Sequence, residues 1–443
     1  MPFRKNQKGF TLIETLVGSA LFVIIALMAD KAFVVLANAV EVSRAKVAAT
    51  TVANEQFEII RNLPYESVGV AGGIPSGVLQ HNQTITRDNW SFAVTTTVRN
   101  VDDPFDGTIG GSPADTSPAD YKIADLDITC SNCRAFAPLK FVTLVAPHAL
   151  ETASTNGALF VQVFDSNGLP VQGASITITN NQTAPATLIQ DTTDNDGWLK
   201  IVDAPPGTNA YNIVATKSGY STDQTYPLGG DAGDNPLKPD ATVVIQQVTQ
   251  TSLTIDETST LNVATEDAAC AALPSIGFTL TGTKLIGSSP DVLKYPAQDF
   301  TTDGSGNSQI TPLEWDTYSA ALDSGSYDLA GSNPLPSFAL NPGETKQLTL
   351  EVVPHVDDAV LITVKDQNGT AVDGASVHLT LDTFDETKTT NSSTCSTPGE
   401  VFWNGLSAGT YNITVSKTGF GDFTGTIDVS APWSEQDITL NPS

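Results

Sequence analysis

Hydrophobic and polar residues follow two contrasting patterns along this chain. From Phe10 to Ala29 the residues are apolar except for four polar positions, and no proline or glycine occurs between Ser19 and Asn62. Such an uninterrupted segment predicts one long helix, which ends where Pro64 restricts the backbone of the residue before it. Beyond that point, short alternating runs bounded by Gly, Pro, Asn and Asp predict strands and turns. The pattern therefore predicts a fold that is α+β at first and all-β afterwards.

The predicted helix, residues 10–62, is long enough to cross a membrane and continue beyond it. About 50 residues at 1.5 Å each give a rod of roughly 75 Å. Its first half is expected in lipid or in a filament core, and its second half against a β-domain. Large apolar residues recur at helical spacing along it: Phe33, Leu36, Val40, Val47, Phe57 and Ile60.

A basic leader containing Arg4, Lys5 and Lys8 precedes the apolar segment. A positive flank before such a segment indicates export with the N-terminus on the cytoplasmic side, and no A-x-A cleavage site follows Ala29. Glu14 stands out because a carboxylate in a membrane helix costs roughly 2.5–3.5 kcal/mol, so it indicates a function. The alternative is an interfacial acid that suits a helix N-terminus.

The run from Gly9 to Glu14, G-F-T-L-I-E, resembles the processing motif of the type IV prepilin family, which includes the pseudopilins. The resemblance implies that prepilin peptidase cuts between Gly9 and Phe10 and methylates the new amino group of Phe10. It also implies that Glu14 pairs with the Phe10 ammonium of a neighbouring subunit, and a buried carboxylate is tolerated in such a pair. Many major pilins carry a kinking proline early in this helix, and this chain does not.

Four runs at 78–83, 90–98, 121–129 and 139–145 are predicted strands of a head domain. A long helix followed by a small antiparallel sheet is the pilin fold. The stretch resembles the head of minor pilins, in which an acidic D-D-P-x-D-G loop precedes a D-Y-K strand.

The acidic loop of this head is a candidate Ca²⁺ site. Asp102, Asp103 and Asp106 are the predicted ligands, and Asp115 and Asp120 are close enough in sequence to converge on the same ion. Calcium takes six to eight oxygen ligands, which an Asp-rich loop provides. The alternative is a solvated turn, because Asp-Pro and Asp-Gly are ordinary turn chemistry. Apart from this Ca²⁺ candidate, no cofactor is predicted.

The four cysteines are too few for a disulfide framework. Cys130 and Cys133 lie where a strand ends, and a turn-closing disulfide is predicted there, with free thiols as the alternative. Cys270 and Cys395 lie in separate modules, so their pairing requires an interdomain contact that the sequence does not reveal.

Beyond residue 155 the chain repeats itself with a period of about 100 residues, the size of a β-sandwich. The run V-F-D-S-N-G-L-P-V-Q-G-A-S at 163–175 returns as V-K-D-Q-N-G-T-A-V-D-G-A-S at 364–376. The pattern resembles the carboxypeptidase regulatory-like family, related to collagen-adhesin B-type repeats, whose members are usually stalks or accessory domains. Three sandwich modules in tandem are therefore predicted. The predicted divisions are a leader 1–9, a helix 10–62, a head 63–154, and repeats 155–248, 249–354 (divergent) and 355–443.

Two features of the repeats bear on chemistry. Some B-type repeats carry a Lys–Asn isopeptide bond, and Lys365 and Asn441 lie roughly where its partners would be. No bond is predicted, because the first copy has Phe164 in place of the lysine and the expected acid is missing near Tyr411. Three tryptophans follow the turn before a strand, and are predicted as core residues at aligned positions rather than sugar platforms: Trp198, Trp315 and Trp403.

Composition narrows the function classes. With 21 basic and 49 acidic side chains the net charge is −28, which disfavours nucleic acid as a partner and suits an exported surface. Hydrophobic content of 40% is enough to form cores. The sequence contains no G-x-S-x-G motif, no P-loop and no His pair at metal-ligand spacing, so no enzyme activity is predicted.

The combined prediction is a minor type IV pilin that displays its modules for adhesion or surface contact. Its predicted partners are other pilin subunits and prepilin peptidase. Before assembly the protein is expected in the inner (cytoplasmic) membrane, and after assembly in an extracellular filament or at the cell surface. The alternatives are a type II secretion pseudopilin and a membrane-anchored binding or accessory protein that never polymerises. The sequence does not identify which cell-surface or glycan target the modules would contact.

Overall fold

The computed structural model describes residues 11–147, 153–323, 325–392, 395–430 and 433–443. Within these residues the chain forms one long helix, a four-stranded head sheet and three β-sandwiches. The predicted fold class is confirmed: a helix packed on a small antiparallel sheet, followed by three sandwich modules in tandem.

The helix α1 spans Leu12–Asn62, 51 residues, and is therefore about 76 Å long. It ends as predicted, because Leu63 takes an extended backbone immediately before Pro64. A single 3₁₀ turn, Tyr65–Ser67, follows. Residues 11–37 are exposed around the whole helix, so the apolar first half of the rod has no packing partner within the described parts of the chain.

The second half of α1 packs on the head through a stripe of mostly small residues. The buried positions follow the three- and four-residue spacing of one helix face: Ala45, Ala48, Ala49, Val52, Ala53, Phe57 and Ile60. Phe57 and Ile60 lie on this face, whereas Val47, which recurs at the same helical spacing in the sequence, lies off it and is exposed. Alanines bring the helix backbone close to the sheet, and a larger side chain would hold the two apart.

The head sheet has the order β1-β2-β3-β4 and is antiparallel throughout. Alternate residues of the two central strands, among them Phe92, Val94, Leu126 and Ile128, form a core with α1. The opposite face carries polar and charged residues together with exposed apolar ones, among them Val142 and Leu144. The strands are β1 (Asn82–Arg87), β2 (Trp90–Val101), β3 (Tyr121–Cys130) and β4 (Leu139–Val145).

Buried Lys122 ties the end of α1 to this sheet. Its ammonium donates to the backbone carbonyls of Tyr65 (2.8 Å) and Val68 (2.7 Å) and lies 4.4 Å from the centre of the Tyr65 ring. Burial lowers the pKa of Lys122. Because two carbonyls and an aromatic ring solvate the cation, the lysine of the D-Y-K motif fixes the turn that follows the helix.

The first sandwich has sheets of order β12-β5-β8 and β10-β9-β6-β7, and β11 pairs with β9. Its last strand runs parallel to its first. The strands are β5 (Gly157–Phe164), β6 (Ser175–Asn180), β7 (Thr187–Thr192), β8 (Trp198–Ala204), β9 (Gly207–Thr216), β10 (Asp223–Gln224), β11 (Ala241–Val243) and β12 (Val248–Thr254).

The second sandwich has sheets of order β18-β13-β22-β20 and β17-β14-β19-β21, with the hairpin β15-β16 outside them. Its last strand is again parallel to its first. The strands are β13 (Ser259–Glu266), β14 (Gly277–Gly282), β15 (Leu285–Gly287), β16 (Val292–Leu293), β17 (Gln298–Thr301), β18 (Asn307–Leu313), β19 (Asp316–Leu322), β20 (Tyr327–Asn333), β21 (Ser337–Leu340) and β22 (Thr345–Pro354).

The third sandwich has sheets of order β26-β23-β29 and β25-β24-β27-β28, with β29 parallel to β23. All three sandwiches therefore share one plan, in which the first strand lies between a parallel last strand and an antiparallel neighbour. The strands are β23 (Ala359–Asp366), β24 (Ser376–Leu381), β25 (Phe384–Thr389), β26 (Glu400–Trp403), β27 (Gly409–Ser416), β28 (Phe423–Val429) and β29 (Trp433–Leu440).

The predicted division at 248/249 is wrong by one strand. β12 begins at Val248 and pairs along its whole length with β5, so it completes the first sandwich as β22 and β29 complete the others. The division falls between Thr254 and Ser259, where β12 ends and β13 begins. The sequence repeat did not reveal this because the closing strands have little sequence in common.

Each unit is docked on the one before it. Ile74 of the head joins the core of the first sandwich, and the Leu188 amide donates to the Gly72 carbonyl at 2.7 Å. The second sandwich docks on the first through its hairpin, where the Leu237 amide donates to the Ile286 carbonyl at 2.9 Å. These contacts tie the head and the first two sandwiches to one another through both apolar packing and backbone hydrogen bonds.

The junction between the second and third sandwiches is formed by apolar packing. Leu361, Phe402 and Trp433 of the third pack against the core of the second. A disulfide between Cys270 and Cys395 joins the two sandwiches covalently. The structure thus supplies the interdomain contact on which the pairing of these cysteines depended.

A buried carboxyl group lies at the same junction. Glu400 accepts a hydrogen bond from the Ser332 amide at 2.5 Å and is 1% exposed. Burial raises the pKa of Glu400 from 4.5 to about 8, with a further contribution from Glu435, while Ser332 and Lys365 oppose the rise. At neutral pH the folded protein therefore holds this group largely protonated.

The interdomain disulfide is expected to contribute more to stability than the turn-closing one. Closing a 125-residue separation restricts the unfolded chain more than closing a separation of three. Replacing Cys270 and Cys395 together by Ser should lower the free energy of unfolding by about 2–5 kcal/mol. The matched control is the Cys130→Ser, Cys133→Ser pair. Each loss is measured in the full chain by urea unfolding of the units that the bridge holds, which are the second and third sandwiches for Cys270–Cys395 and the head for Cys130–Cys133. Equal losses in the two pairs would contradict the predicted difference.

Glu400 gives the same junction a predictable dependence on pH. A carboxyl group with a raised folded-state pKa contributes stability fully below about pH 4.5, and the contribution is lost as pH rises through about 8. The slope is at most about 1.4 kcal/mol per pH unit. In Glu400→Gln the slope should flatten in this window. His355, whose pKa the Asp328 hydrogen bond raises, is unchanged in both proteins, so its contribution cancels. Identical pH profiles of thermal unfolding would rule the assignment out.

Candidate functional sites

The N-terminus of α1 begins with a reciprocal pair of hydrogen bonds. The Glu14 amide donates to the Thr11 hydroxyl at 3.3 Å, and the Thr11 amide donates to the Glu14 carboxylate at 3.5 Å. This capping box satisfies amide groups that the first helical turn leaves free. Gly9 and Phe10, the predicted processing site, lie outside the described residues. Glu14 thus starts the helix in the single chain, which is the role given above as the alternative to assembly.

The first half of α1 exposes a continuous run of large apolar side chains between Leu12 and Leu36. Its most apolar window of 18 residues has a mean hydropathy of 2.3 and no buried residue. Length and composition make α1 a candidate membrane span. Because every side of this half is exposed, lipid or neighbouring helices have to cover it in the cell.

The acidic loop between β2 and β3 brings three carboxylates together. Ligand oxygens of Asp102, Asp115 and Asp120 lie within 4.8 Å of one another. One oxygen of each carboxylate accepts a hydrogen bond from a backbone amide of the loop. The Ile109 amide donates to Asp102 at 2.9 Å, the Ser117 amide donates to Asp115 at 2.7 Å, and the Asp103 amide donates to Asp120. The other oxygen of each carboxylate is inaccessible to solvent and has no hydrogen-bond partner among the described residues.

Two of the predicted ligands lie outside this cluster. Asp103 uses its carboxylate to accept the Phe105 amide at 3.0 Å within a turn, and Asp106 is exposed. The predicted set of Asp102, Asp103 and Asp106 is therefore corrected to Asp102, Asp115 and Asp120. The loop folds back on itself, so residues distant in sequence meet while adjacent ones point apart.

The three clustered carboxylates repel one another. Burial raises the pKa of Asp102 and of Asp120, and the neighbouring acids raise both further. A hard divalent cation is the group that such oxygens prefer. The orphaned oxygens thus fit Ca²⁺, and Asp102, Asp115 and Asp120 are the residues that would hold it.

The cysteine pair of the head forms the disulfide Cys130–Cys133, which closes the turn after β3 as predicted. Asn132 inside this turn accepts the Ser91 amide at 2.7 Å and donates to the Asn89 carbonyl at 2.8 Å. The bridge therefore closes a turn that is hydrogen-bonded to the β1–β2 hairpin, which is a structural role.

The three tryptophans do not occupy equivalent positions, which corrects the sequence alignment. Trp403 lies in the core of the third sandwich, as predicted. Trp198 pairs with Gln162 at the start of its strand, where Glu400 pairs with Thr363 in the third sandwich. Trp198 is half-buried outside the core.

Trp315 is also half-buried, and the Lys284 ammonium lies 3.0 Å from the centre of its ring. It lies outside the core of the second sandwich. The prediction that all three tryptophans are core residues therefore holds for Trp403 and fails for Trp198 and Trp315.

Lys365 forms an ion pair with Asp437 at 2.9 Å. The lysine therefore has a partner other than Asn441, the residue that the isopeptide bond of B-type repeats would require. The prediction that no Lys–Asn bond forms is consistent with this geometry.

The sequence reasoning missed Arg99, which clamps the head to the first sandwich. Its guanidinium donates twice to Asp191, at 2.5 and 2.6 Å, and once to Asp125 at 2.6 Å. The Asp191 contacts raise the pKa of Arg99. The available signal was an arginine among threonines on the outward side of β2, but nothing in the sequence identified its partner 92 residues away.

Sequence profiles of two known families match this chain. The prokaryotic N-terminal methylation motif matches residues 4–29, and the carboxypeptidase regulatory-like domain matches residues 359–441. The predicted resemblance of the N-terminus is confirmed, and that of the repeats is confirmed for the third sandwich. The methylation motif indicates a pilin-type surface protein, and together with the apolar helix it fits anchoring in the inner membrane before assembly at the surface.

Among solved structures, several match this chain at low sequence identity and with low TM-scores. The TIE protein of Bacillus anthracis is 13% identical with a TM-score of 0.20, and the match covers 82% of this chain and 61% of that one. Shaft pilin SpaA from Lactobacillus rhamnosus GG is 15% identical with a TM-score of 0.19, covering 45% and 98%. BcpA, the major pilin subunit of Bacillus cereus, is 12% identical with a TM-score of 0.17, covering 65% and 100%. Scores this low carry no argument about function. No curated protein matches the chain.

Proposed function

We propose that this pilin-type protein is a minor subunit of a type IV filament that displays three sandwiches for contact with a surface or another cell. The asymmetry of α1 carries the proposal. Residues 11–37 are exposed and mostly apolar, whereas a stripe of alanines farther along packs on the head. Such a helix inserts its first half among other helices while its second half holds a folded body outside.

The bulk behind the head favours a minor subunit over the repeating subunit of a shaft. Strands of the three sandwiches extend from Gly157 to Leu440, and a shaft would have to accommodate them at every position. A pseudopilin of a type II secretion system is the alternative within the same class. Recovery of the protein in sheared surface filaments, in smaller amounts than the main subunit, would support the proposal over that alternative.

Glu14 has two separable roles in this proposal. In the single chain its carboxylate caps the helix with Thr11. In the filament we propose that it meets the ammonium of Phe10 from a neighbouring subunit, which offsets the cost of placing a carboxylate among apolar helices. The first role needs a hydrogen-bond acceptor, and the second needs a negative charge.

Substituting each half of the capping box separates these roles. Glu14→Gln keeps the acceptor of a capping box and removes the charge, so incorporation into sheared filaments should fall by about tenfold or more. Thr11→Ala removes the cap and keeps the charge, so incorporation should change little. The measurements are the mature protein in membranes and in sheared filaments, with mass spectrometry to show a chain that begins at methylated Phe10.

The outcomes discriminate among the alternatives. Normal incorporation of Glu14→Gln together with a defect in Thr11→Ala would restrict Glu14 to helix capping. Mature wild-type protein found in membranes and never in filaments would favour the non-polymerising anchor. A chain that begins elsewhere than Phe10 would contradict processing between Gly9 and Phe10.

We also propose that the acidic loop of the head binds Ca²⁺ through Asp102, Asp115 and Asp120. The three inaccessible and unpartnered oxygens support this assignment. The ion would neutralise carboxylates that otherwise repel one another, and would thereby hold the loop that leads into β3.

Adding CaCl₂ to chelator-treated protein should raise its thermal unfolding temperature. Asp115→Asn should abolish this rise and, because it removes a repelling charge, should stabilise the ion-free protein. Asp106→Asn is the matched control, since that exposed residue belongs to the same loop and lies outside the cluster; it should leave the response intact. No response of the wild-type protein to millimolar Ca²⁺ would refute the site.

A further inference from the structure

The head and the first sandwich enclose a cleft that the docking contacts do not fill. Its volume is about 800 Å³, within the roughly 300–1,000 Å³ typical of ligand sites. The outward face of β2, β3 and β4 forms one wall, and residues of β5, β7 and β8 of the first sandwich form the other. The clamp between Arg99 and Asp191 joins the two walls.

The corresponding face of the third sandwich shows what a closed junction looks like. Strand pairing makes Phe160 and Lys200 of the first sandwich equivalent to Leu361 and Phe402 of the third. In the third sandwich both residues pack on the core of the preceding unit. In the first sandwich the same positions line the open cleft. One face of a shared fold is therefore sealed in one module and open in another.

Trp198 is the main aromatic group of the open cleft. Phe160 braces it edge to face, with ring centres 6.4 Å apart at an angle of 76°, and the Lys200 ammonium lies 5.6 Å from the Phe160 ring. Trp198 does not belong to the core cluster of its own sandwich. Phe160 therefore holds the indole in place, and the indole is not part of the hydrophobic core.

The polar groups that line the cleft favour a neutral ligand. Arg99 is matched by Asp125 and Asp191, and Lys140 lies 3.4 Å from Asp127. Acidic residues outnumber basic ones in the lining, so an anion would meet repulsion. The side chains of Thr97 and Gln190, which line the cleft, have no hydrogen-bond partner in the described part of the chain.

We propose that this cleft binds a neutral carbohydrate, with Trp198 as the platform for one sugar ring. A sugar presents a C–H face to an aromatic ring and hydroxyl groups to its surroundings, which matches a cleft lined by an indole and by hydroxyl and amide side chains. A short oligosaccharide fits the volume. This assignment rests on the surface-contact part of the proposed function and does not depend on filament assembly.

The test uses the full chain in a detergent without a sugar headgroup, since a glycoside detergent would compete. An array of neutral and anionic oligosaccharides identifies binders, and titration calorimetry with the tightest neutral one gives the Kd. Trp198→Ala should weaken binding by about tenfold, as expected for the loss of an aromatic contact. Trp198→Phe should weaken binding less, because it keeps an aromatic ring. Gln190→Ala removes an amide that lines the cleft and leaves the Trp198 ring unchanged, so it tests the contribution of polar contacts to the Kd.

Trp315→Ala is the matched control, a half-buried tryptophan in the next sandwich that does not line the cleft, and its Kd should stay near the wild-type value. Circular dichroism and thermal unfolding check each variant. If Trp198→Ala does not fold, Trp198→Phe and Gln190→Ala decide.

Absence of binding to every neutral oligosaccharide, binding confined to anionic ones or to peptides, or equal losses in the Trp198 and Trp315 variants would each overturn the proposal. Filament incorporation is measured separately, so failure of the carbohydrate site and failure of the filament role are distinguishable.

Discussion

The packing of an alanine stripe of α1 on the head sheet is the contact on which the rest of the structure depends. It is the place where an exposed apolar rod becomes part of a folded body. Ala49, Val52 and Ala53 are completely buried there, and small side chains allow the close approach. Lys122 then fixes the turn after the helix. Every later unit is positioned relative to the helix through this contact.

Behind the head, the junctions differ in how they are made. The head and the first sandwich are joined by the Arg99 clamp and by Ile74, with a cleft left between them. The first and second are joined mainly by backbone hydrogen bonds. The second and third share apolar packing, a buried carboxyl group and a disulfide. The junction farthest from the helix is therefore the one made most rigid.

A single position illustrates how one fold serves different ends in the three sandwiches. The first residue of the strand that pairs antiparallel to the opening strand is Trp198, Asn307 and Glu400 in turn. Trp198 faces a cleft, Asn307 is exposed, and Glu400 is buried against the preceding module. The fold requires only that this residue point outward from its own sandwich. The neighbouring unit decides what that side chain does.

The sequence by itself determined the local features of this protein. The end of α1 at Asn62, the strands β3 and β4, the turn-closing disulfide and the repeated sandwich plan all depend on patterns within a few residues or on repetition along the chain. Glu14 was also identifiable, because a charge in an apolar run is conspicuous wherever the helix lies.

Tertiary structure alone decided the pairings between distant residues. Asp102 meets Asp115 and Asp120 rather than its neighbours, Arg99 finds Asp191, and Cys270 finds Cys395. These contacts depend on how a loop folds back and on which face of one unit docks on another. The hydrophobic pattern specifies that a face is buried or exposed, but it does not specify the partner, because many surfaces satisfy the same burial. Directional groups such as carboxylates, guanidinium groups and thiols then make bonds with whatever that docking brings within reach.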